Sequence, residues 1–406
     1  MGKNFINKLG PGLLFAGAAI GVSHLVQSTR AGADYGWGLL WALLIVNLLK
    51  YPFFQFGPRY AIATNKSLIE GYYELGKFFL ISYFILNIAT MFTIQTAVTI
   101  VTASLASKVF GLTSSLVVWS LIVTFLCLSI LFIGKYKLLD NLIKWIIVTL
   151  SISTIFALIV AVFKNDSPIQ FDQIFPNSSN LIFLIAFMGW MPAPLDISIW
   201  HSLWAIEKKK NSRKKIKLKE SIFDFNVGYL TTVFLGICFM GLGSFVMFNS
   251  NLVFSSQGSI FADQLIQLYT KNFGNEFYFF ISIAALTTMF STTLTCLDAS
   301  PRAMTETMKI LMPKYSFLNY IFWIITLSIG TSLIFIFLLS EMGKLVEIAT
   351  ILSFVTAPFY AILNYKLVTS DKMPNKYKPN RLIKFLSITG IIFLLVFSFG
   401  YLFVVI

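Results

Sequence analysis

The chain has 406 residues, of which 57% are hydrophobic, 16% aromatic and only 12% charged. Soluble domains contain about 25% charged residues and could not bury this much apolar surface away from water. The composition therefore excludes secreted, collagen-like, disordered and cytosolic-enzyme classes and predicts an integral membrane protein. The three cysteines, Cys127, Cys238 and Cys296, form no CxxC pair, so neither a disulfide framework nor a zinc site is expected.

Eleven apolar runs are long enough to cross about 30 Å of hydrocarbon as helices. In chain order they are 10–27, 37–57, 79–107, 112–134, 138–163, 180–206, 224–249, 277–299, 318–339, 345–367 and 382–405. The predicted fold class is an all-α membrane protein with 11 transmembrane helices. A single transmembrane domain is expected over 1–406, with spans 1–5 in 1–163, spans 6–10 in 180–367 and an extra span at 382–405.

Lys and Arg are distributed unequally between the two sides of the membrane. With the N-terminus inside, 24 of them fall in inner loops and five in outer loops, while Lys50 and Lys144 lie within spans. Because positive residues accumulate in cytoplasmic loops, we predict a cytoplasmic N-terminus and an extracytoplasmic C-terminus in the cell's plasma membrane. The net charge of +14, including the basic run 207–220, then reflects topology and contact with anionic lipid, and no nucleic-acid partner is expected.

The sequence contains no motif that indicates catalysis. HExxH, GxSxG and paired carboxylates on one span are absent, and the only histidines are His24 and His201. We therefore expect no enzyme and no cofactor. A transporter, a channel or a membrane scaffold remain.

Two spans contain helix-breaking residues in corresponding positions. Small and polar residues occupy 17–24 in span 1, and span 6 contains Gly189, Pro192, Pro194 and the acid Asp196. Spans 1 and 6 open the two halves of a five-plus-five arrangement, and such breaks indicate an inverted-repeat transporter with its site at the bilayer midplane. The alternative is two unrelated kinks in a channel or scaffold.

A long N-terminal stretch resembles the opening of the NRAMP divalent-metal transporters. It reads GPGLLFAGAAIGVSHLVQSTRAGADYGWGLLWALLIVNLLKYPFFQFGPRYAIATNKSLIEGYY over 10–73. The resemblance continues through Ile88-Ala89-Thr90, His201-Ser202, Asp224 and Pro358-Phe359, and covers essentially the whole chain. It implies a LeuT-type five-plus-five inverted repeat in which helices 1 and 6 are unwound at the substrate site.

The family's metal-binding residues are replaced in this chain. The family's Asp-Pro-Gly-Asn corresponds to Gly21-Val22-Ser23-His24, and its Met-Pro-His corresponds to Pro194-Leu195-Asp196 or, in another alignment, to Met191-Pro192-Ala193. The acid positions of span 3 and the Gln of span 10 correspond to Met91, Ile94 and Thr350. Because a transition metal needs carboxylate, thioether or imidazole ligands, and Asp196 is the one acid that remains, proton-coupled metal transport is in doubt.

The altered site is predicted to accept an anion. Without the span 1 acid, the N-terminal end of the second half of span 1 presents N–H groups and a positive dipole end. The residues expected to contact substrate are Gly21, Val22, Ser23, His24, Pro194, Leu195, Asp196 and Thr350.

Four charged or titratable residues have alternative roles. Arg30 either attracts anions at an outer vestibule or forms a surface pair with Asp34. Asp196 either caps the second half of span 6 or pairs with His24, binds a coupling cation or transfers a proton. His24 is either a substrate donor or a packed side chain, and His201 is structural or proton-related.

Span 8 contains the consecutive hydroxyls Ser291, Thr292 and Thr293. LeuT-type symporters bind sodium between carbonyls of unwound span 1 and hydroxyls of span 8, and oxygen ligands suit a hard monovalent cation. The resemblance therefore implies a sodium site formed by these hydroxyls with Ala18 and Gly21. Hydroxyls that only pack helices are the alternative.

Three functions follow in order of preference. The first is secondary, sodium-coupled uptake of a small anion such as bicarbonate by alternating access. The second is a divalent cation transporter for Mg²⁺ or Mn²⁺, with Asp196 as a metal ligand, since Mg²⁺ keeps several waters and tolerates few protein ligands. The third is a sensor or scaffold without flux. Sodium is the expected coupling ion. The expected partners are a small inorganic ion and the lipid bilayer, and the protein is expected to be a monomer.

Overall fold

The computed structural model describes residues 10–163, 171–175, 181–211, 216–248, 264, 266, 278–338 and 342–405. Within these residues the regular secondary structure is entirely helical. Several loop cations that contributed to the predicted topology lie outside the described residues, namely Lys3, Lys8, Lys164, Arg213, Lys214, Lys215 and Lys271.

Thirteen α-helices, one π-helical segment and one 3₁₀ turn follow each other in the described residues. In chain order they are α1 (Pro11–Ala19), the π-helix Ser23–Ser28, α2 (Thr29–Tyr35), α3 (Leu40–Thr64), α4 (Leu68–Leu75), α5 (Lys77–Phe110), α6 (Leu116–Phe163), α7 (Leu181–Trp190), α8 (Ile197–Asn211), α9 (Leu218–Val246), α10 (Tyr278–Leu311), α11 (Tyr320–Leu338), α12 (Met342–Thr369), the 3₁₀ turn Asn375–Tyr377 and α13 (Arg381–Val405).

Most of the predicted spans are present as long apolar helices. Among the described residues, eight helical stretches are long and apolar enough to cross a membrane, and the bent pair Pro11–Ala19 with Ser23–Tyr35 makes nine. The two other predicted spans are divided or less apolar. Span 6 consists of the separate helices α7 and α8, and span 8 is the hydroxyl-rich helix α10.

The predicted spans 4 and 5 lie within one continuous helical element, α6. Sequence analysis placed them at 112–134 and 138–163, whereas helical backbone runs without interruption over Leu116–Phe163. The linking segment 134–142 contains one glycine and no proline, so nothing in it prevents helical hydrogen bonding. Two apolar stretches, Leu116–Ile133 and Ile143–Phe163, remain distinct on either side of it.

Helix ends coincide with residues that suit them chemically. Ser67 and Glu70 form a reciprocal capping box at the start of α4. Asn65 ends α3 in the left-handed conformation with φ 59°, and Gly111 ends α5 with φ 63°. These local signals fix the short connections between spans 2, 3 and 4.

Helix α9 contacts both halves of broken span 1. It packs against α1, α2 and α3, while α10 packs against α5, α6 and α1. A methyl group at Gly12 would collide with the Asp224 carbonyl, and one at Gly228 would collide with the Gly12 carbonyl. Glycine at these two positions lets α1 and α9 approach at backbone distance.

Asp224 of α9 caps the N-terminus of α1. Its Oδ1 accepts a hydrogen bond from the Gly10 N–H at 2.9 Å, and its Oδ2 accepts one from the Gly12 N–H at 3.0 Å. Lys208 lies 3.8 Å from Oδ2. The carboxylate therefore satisfies two of the unpaired N–H groups at this helix start and complements its positive dipole end.

Candidate transport site

The first break interrupts span 1 in the buried interior. Helix α1 ends at Ala19, the π-helix begins at Ser23, and the span bends by 49° between its two halves. Gly21 lies at the bend, and a Cβ atom there would approach the Thr292 side chain to 2.7 Å. The sequence thus places a residue without a side chain where α10 meets the break.

The second break interrupts span 6. Helix α7 ends at Trp190 and α8 begins at Ile197, so that Met191–Asp196 lies between the two halves. Pro192 and Pro194 lack the N–H donors that a continuous helix would require. Both breaks predicted from the sequence are therefore present.

Ser23 joins the two breaks. Its Oγ lies 3.2 Å from the Pro192 carbonyl oxygen, 2.7 Å from the Ala19 carbonyl oxygen and 2.7 Å from Nδ1 of His24. The hydroxyl of span 1 therefore lies beside the unwound backbone of span 6. This junction is the arrangement expected of a transport site built from two half-helices.

A small cavity of about 20 Å³ lies at this junction. Neutral, mostly apolar side chains form its wall, and no Asp, Glu or His contributes to it. The lining residues are Ala18, Ala19, Val22, Ser23, Ile94, Val98, Trp190, Pro194, Ile197, Trp200, Thr292 and Cys296. We refer to it below as the central pocket.

Trp200 has a hydrogen-bond donor without an acceptor. The residue lines the central pocket and is 1% exposed, yet its indole Nε1 has no hydrogen-bond partner within the described residues. By contrast, the indole of Trp190 donates to Ser353 at 2.9 Å. Because the indole N–H can only donate, Trp200 has an unused donor in a residue of the pocket wall.

His24 bonds to protein groups through both ring nitrogens. Nε2 lies 2.9 Å from the Thr232 carbonyl oxygen of α9, and Nδ1 lies 2.7 Å from Ser23 Oγ. Since a carbonyl only accepts, Nε2 is the protonated nitrogen and Nδ1 accepts from the Ser23 hydroxyl. His24 therefore ties span 1 to span 7 in this conformation, and it does not line the central pocket.

Thr292 lies among carbonyl oxygens of the span 1 break. Its Oγ1 is 3.1 Å from the carbonyl oxygens of both Gly17 and Ile20, and 3.3 Å from that of Thr288 on its own helix. We refer to these four oxygen atoms as the Thr292 cluster. The expected carbonyls of Ala18 and Gly21 are replaced by those of Gly17 and Ile20, one residue earlier, because the latter pair faces α10.

The other two predicted sodium ligands point elsewhere. Ser291 donates to the Thr288 carbonyl at 2.7 Å within its own helix. Thr293 faces span 3, where its Oγ1 lies 3.2 Å from the Val98 carbonyl oxygen and 2.7 Å from the Thr102 hydroxyl. Successive helical residues point about 100° apart, so three consecutive hydroxyls cannot share one site.

Asp196 is buried at the start of α8, outside the lining of the central pocket. Its carboxylate faces the backbone N–H groups of Asp196 and Ile197, as a helix cap does. Its Oδ1 nevertheless has no hydrogen-bond partner within the described part of the chain. The acid thus combines a cap with an oxygen that remains available.

Three buried tyrosines lie within electrostatic range of Asp196. The carboxylate interacts electrostatically with Tyr72, Tyr83 and Tyr360, and the Tyr83 and Tyr360 rings lie 6.3 Å apart. The hydroxyls of Tyr83 and Tyr360 lack partners among the described residues, as do both amide atoms of Asn87 one turn further along α5. Such groups require water or an ion.

The remaining predicted site residues lie away from the central pocket. Leu195 is buried, and its carbonyl accepts the Ser198 hydroxyl at 2.6 Å. Thr350 donates to the Glu347 carbonyl at 2.8 Å within α12, so its side chain bonds along its own helix. Arg30 pairs with Asp34 at 3.3 Å and has a side chain that is 45% exposed, which is the surface pair of the two alternatives.

A transition-metal site of conventional composition is absent from the described residues. No group of three or more His, Cys, Asp or Glu side chains comes together there. Met91 and Ile94 are buried where span 3 acids were expected, and Ile94 lines the central pocket. The metal ligands that are missing from the aligned sequence positions are therefore not supplied by other described residues of the folded site.

Sequence analysis did not identify several pocket residues. Trp200, Val98 and Cys296 line the central pocket but appear in the sequence as ordinary apolar residues of long spans. Lys50 was noted only as a charge within a span, yet a charged residue at bilayer depth is itself a functional signal that could have marked it.

Comparisons with known proteins connect this geometry to one family. The family model described as natural resistance-associated macrophage protein-like (NRAMP) matches residues 12–404. An uncharacterized protein of Pasteurella multocida is 36% identical over 399 residues, covering 96% of this chain and 90% of that protein. The divalent metal cation transporter MntH of Staphylococcus aureus is 26% identical over 262 residues, covering 61% of this chain and 57% of MntH.

Solved structures agree in fold. A manganese transporter of Eremococcus coleocola superposes with a TM-score of 0.73 at 16% identity, covering 96% of this chain and 84% of that one. The nucleobase-cation-symport-1 transporter Mhp1 gives a TM-score of 0.61 at 14% identity, covering 98% and 92% of the two chains. The predicted all-α, LeuT-type fold is thereby confirmed.

Proposed function

Because the chain belongs to the NRAMP family of membrane transporters, we propose that it moves a small anion such as bicarbonate together with sodium. The chain is thus a multi-pass membrane transporter and not an enzyme. Its relatives include proteins named for divalent metal and manganese, so the anion is a departure from them. The proposal rests on the residues of the central pocket.

The observation that most supports an anion is the unpaired indole N–H of Trp200. It occurs in a pocket whose wall contains no carboxylate or imidazole, and Ser23 supplies a second polar group. A dehydrated divalent cation needs negative charge from its ligands, whereas a small oxyanion needs donors and space. Among the described residues the pocket wall supplies one unused donor, the Trp200 indole N–H, and no negative charge.

Sodium as the coupling ion is supported by the Thr292 cluster. Four oxygen atoms of carbonyl and hydroxyl type meet at a helix break, and they suit a hard monovalent cation. In this conformation the Thr292 hydroxyl is a hydrogen-bond donor to the carbonyls. If sodium binds, the hydroxyl would rotate so that its proton points away from the ion and an oxygen lone pair coordinates it. The positive ion beside the pocket would also offset the charge of the anion.

A divalent cation is the second candidate, and one specific observation favours it. Asp196 retains a buried carboxylate oxygen without a partner among the described residues, in electrostatic range of Cys296 on the pocket wall. Mg²⁺ bound largely through water would need few protein ligands.

The deciding experiment uses purified protein in proteoliposomes, with empty liposomes as the control. We expect an inward sodium gradient to drive uptake of labelled bicarbonate at alkaline pH, where little dissolved CO₂ is available to cross the bilayer. Influx of Mn²⁺ or Mg²⁺, followed with an enclosed metal-sensitive dye, should match the empty liposomes. Saturable metal influx without bicarbonate uptake would replace the first candidate by the second.

A further inference from the structure

Lys50 is a fully buried lysine at the end of a half-helix. It lies on α3 with 0% exposure, and its ammonium donates to the Met188 carbonyl at 2.8 Å and to the Gly189 carbonyl at 2.7 Å. Both carbonyls belong to the last turn of α7, the first half of span 6. Trp190, the next residue, lines the central pocket.

Among the described residues, no acid pairs with this ammonium. The ion pairs of the described residues do not include Lys50, and its two bonding partners are neutral backbone oxygens. The Lys50 amino group therefore lies at the negative dipole end of α7, which stabilises a positive charge there. Lysines inside proteins are normally paired or extend towards water, so a lysine in this position indicates a function.

The location of the ammonium is informative. In transporters with broken spans, the C-terminal carbonyls of half-helices are the groups that coordinate the coupling Na⁺ or H⁺. The ammonium of Lys50, which is part of the chain itself, occupies the position on these carbonyls that a monovalent cation would take. The Thr292 cluster, by contrast, contains only neutral oxygen atoms and no such tethered charge.

We propose that the Lys50 ammonium is a built-in substitute for a coupling cation at the end of α7. It supplies positive charge beside the central pocket, favours an anion there over a divalent cation, and leaves the Thr292 cluster as the site for a dissociable ion. The statement that the substrate is an anion rests on the proposed function. The statement that Lys50 replaces a coupling cation is independent of it.

A purely structural cap makes a different prediction. Two carbonyl oxygens would be satisfied equally well by a neutral donor, so a cap would tolerate Lys50→Gln, whereas a substitute cation tolerates only Lys50→Arg. Lys50→Ala removes the ammonium and leaves space in which an ion could reach the carbonyls. Lys144→Gln, which removes a half-buried lysine from α6, is the matched control.

The experiment measures binding of labelled sodium to purified protein in detergent, which requires no substrate. We expect Lys50→Ala to bind about one more sodium ion per chain than Lys50→Arg, and Thr292→Ala to bind sodium about ten-fold more weakly than the unmodified chain. In proteoliposomes, Lys50→Gln should lower bicarbonate uptake at least about ten-fold, while Lys50→Arg and Lys144→Gln retain it.

Equal sodium binding by Lys50→Ala and Lys50→Arg would overturn the proposal. If Lys50→Ala does not yield a monodisperse protein, the uptake of Lys50→Gln tests the proposal instead. Normal bicarbonate uptake by Lys50→Gln would show that Lys50 is only a structural cap. If the unmodified chain takes up no bicarbonate, the proposed substrate fails, while the sodium-binding comparison still tests Lys50.

Discussion

At the scale of single residues, the site depends on which of several similar side chains faces the helix breaks. Thr292 and Thr293 are neighbours of the same type, but only Thr292 contacts the carbonyls of span 1, while Thr293 contacts span 3. Trp190 and Trp200 both line the central pocket, but only Trp190 has an acceptor for its indole N–H. Each pair therefore provides an internal control.

Thr292→Ala should weaken the dependence of transport on sodium. Removing one ligand oxygen of four is expected to cost about 1.4 kcal/mol, which raises the half-saturating sodium concentration about ten-fold. The measurement is initial uptake in proteoliposomes as a function of sodium, with Thr293→Ala as the control that keeps the cluster. If the sodium dependence of Thr292→Ala is unchanged, sodium does not bind at this cluster.

Trp200→Phe should raise the substrate concentration needed for half-maximal uptake. The ring still packs, but a donor to a charged acceptor is lost, which corresponds to about 1.5–3 kcal/mol or roughly ten- to a hundred-fold in affinity. Trp204→Phe removes an indole one helical turn away, outside the central pocket, and should transport normally. Equal uptake by the two variants would contradict an anion bound at Trp200.

Asp196→Asn should reduce transport strongly while expression persists. Asn retains the ability to cap α8, so folding is preserved, whereas the negative charge near Tyr83 and Tyr360 is removed. Uptake and the yield of monodisperse protein are measured side by side. Normal uptake would show that Asp196 serves only as a helix cap. It would also argue against divalent-cation transport, because that candidate uses Asp196 as a metal ligand.

At the scale of elements, the two broken spans determine where polar backbone groups lie in the membrane. Lipid cannot bond the N–H and C=O groups exposed at a break, so they must face protein, water or an ion. Here the Thr292 hydroxyl covers part of the span 1 break, and the Lys50 ammonium covers the end of α7. Each break is therefore stabilised by a side chain from a different span.

Asp224→Ala should destabilise the packing of α1 against α9. The change leaves the Gly10 and Gly12 N–H groups without their carboxylate, a loss of about 2 kcal/mol for a helix cap of this kind. Thermal unfolding in detergent should show a lower midpoint than for Glu220→Ala, which alters the exposed start of α9. Equal midpoints would mean that the buried Asp224 cap stabilises the protein no more than the exposed Glu220 cap, whose carboxylate accepts the Lys217 N–H at 3.0 Å.

At the scale of the whole molecule, the distribution of Lys and Arg predicts the orientation in the membrane. The loop after α8 should face the cytoplasm, and the turn between α5 and α6 should face outward. Single cysteines introduced as Lys219→Cys and Leu112→Cys occupy exposed positions, and the native cysteines are buried. An impermeant maleimide added to intact cells should label only Leu112→Cys. The reverse pattern would invert the topology.

Much of the fold could be predicted because lipid imposes a simple rule on sequence. Apolar runs near 20 residues and the prolines of span 6 indicate the spans and the second break from the sequence alone. The boundary between spans 4 and 5 was less predictable, because the segment 134–142 lacks a residue that ends a helix. The division into repeats over 1–163 and 180–367 stays a prediction.

The sequence by itself determined the membrane class, the two breaks, the loss of metal ligands and the family. Only the tertiary structure decided which side chains meet. It turned His24 towards Thr232, separated Thr292 from Thr293, and brought Lys50 to the carbonyls of α7 across 138 positions of sequence. The physical reason is that hydrophobicity and proline act locally, whereas the partner of a buried polar group depends on the rotation and packing of distant helices.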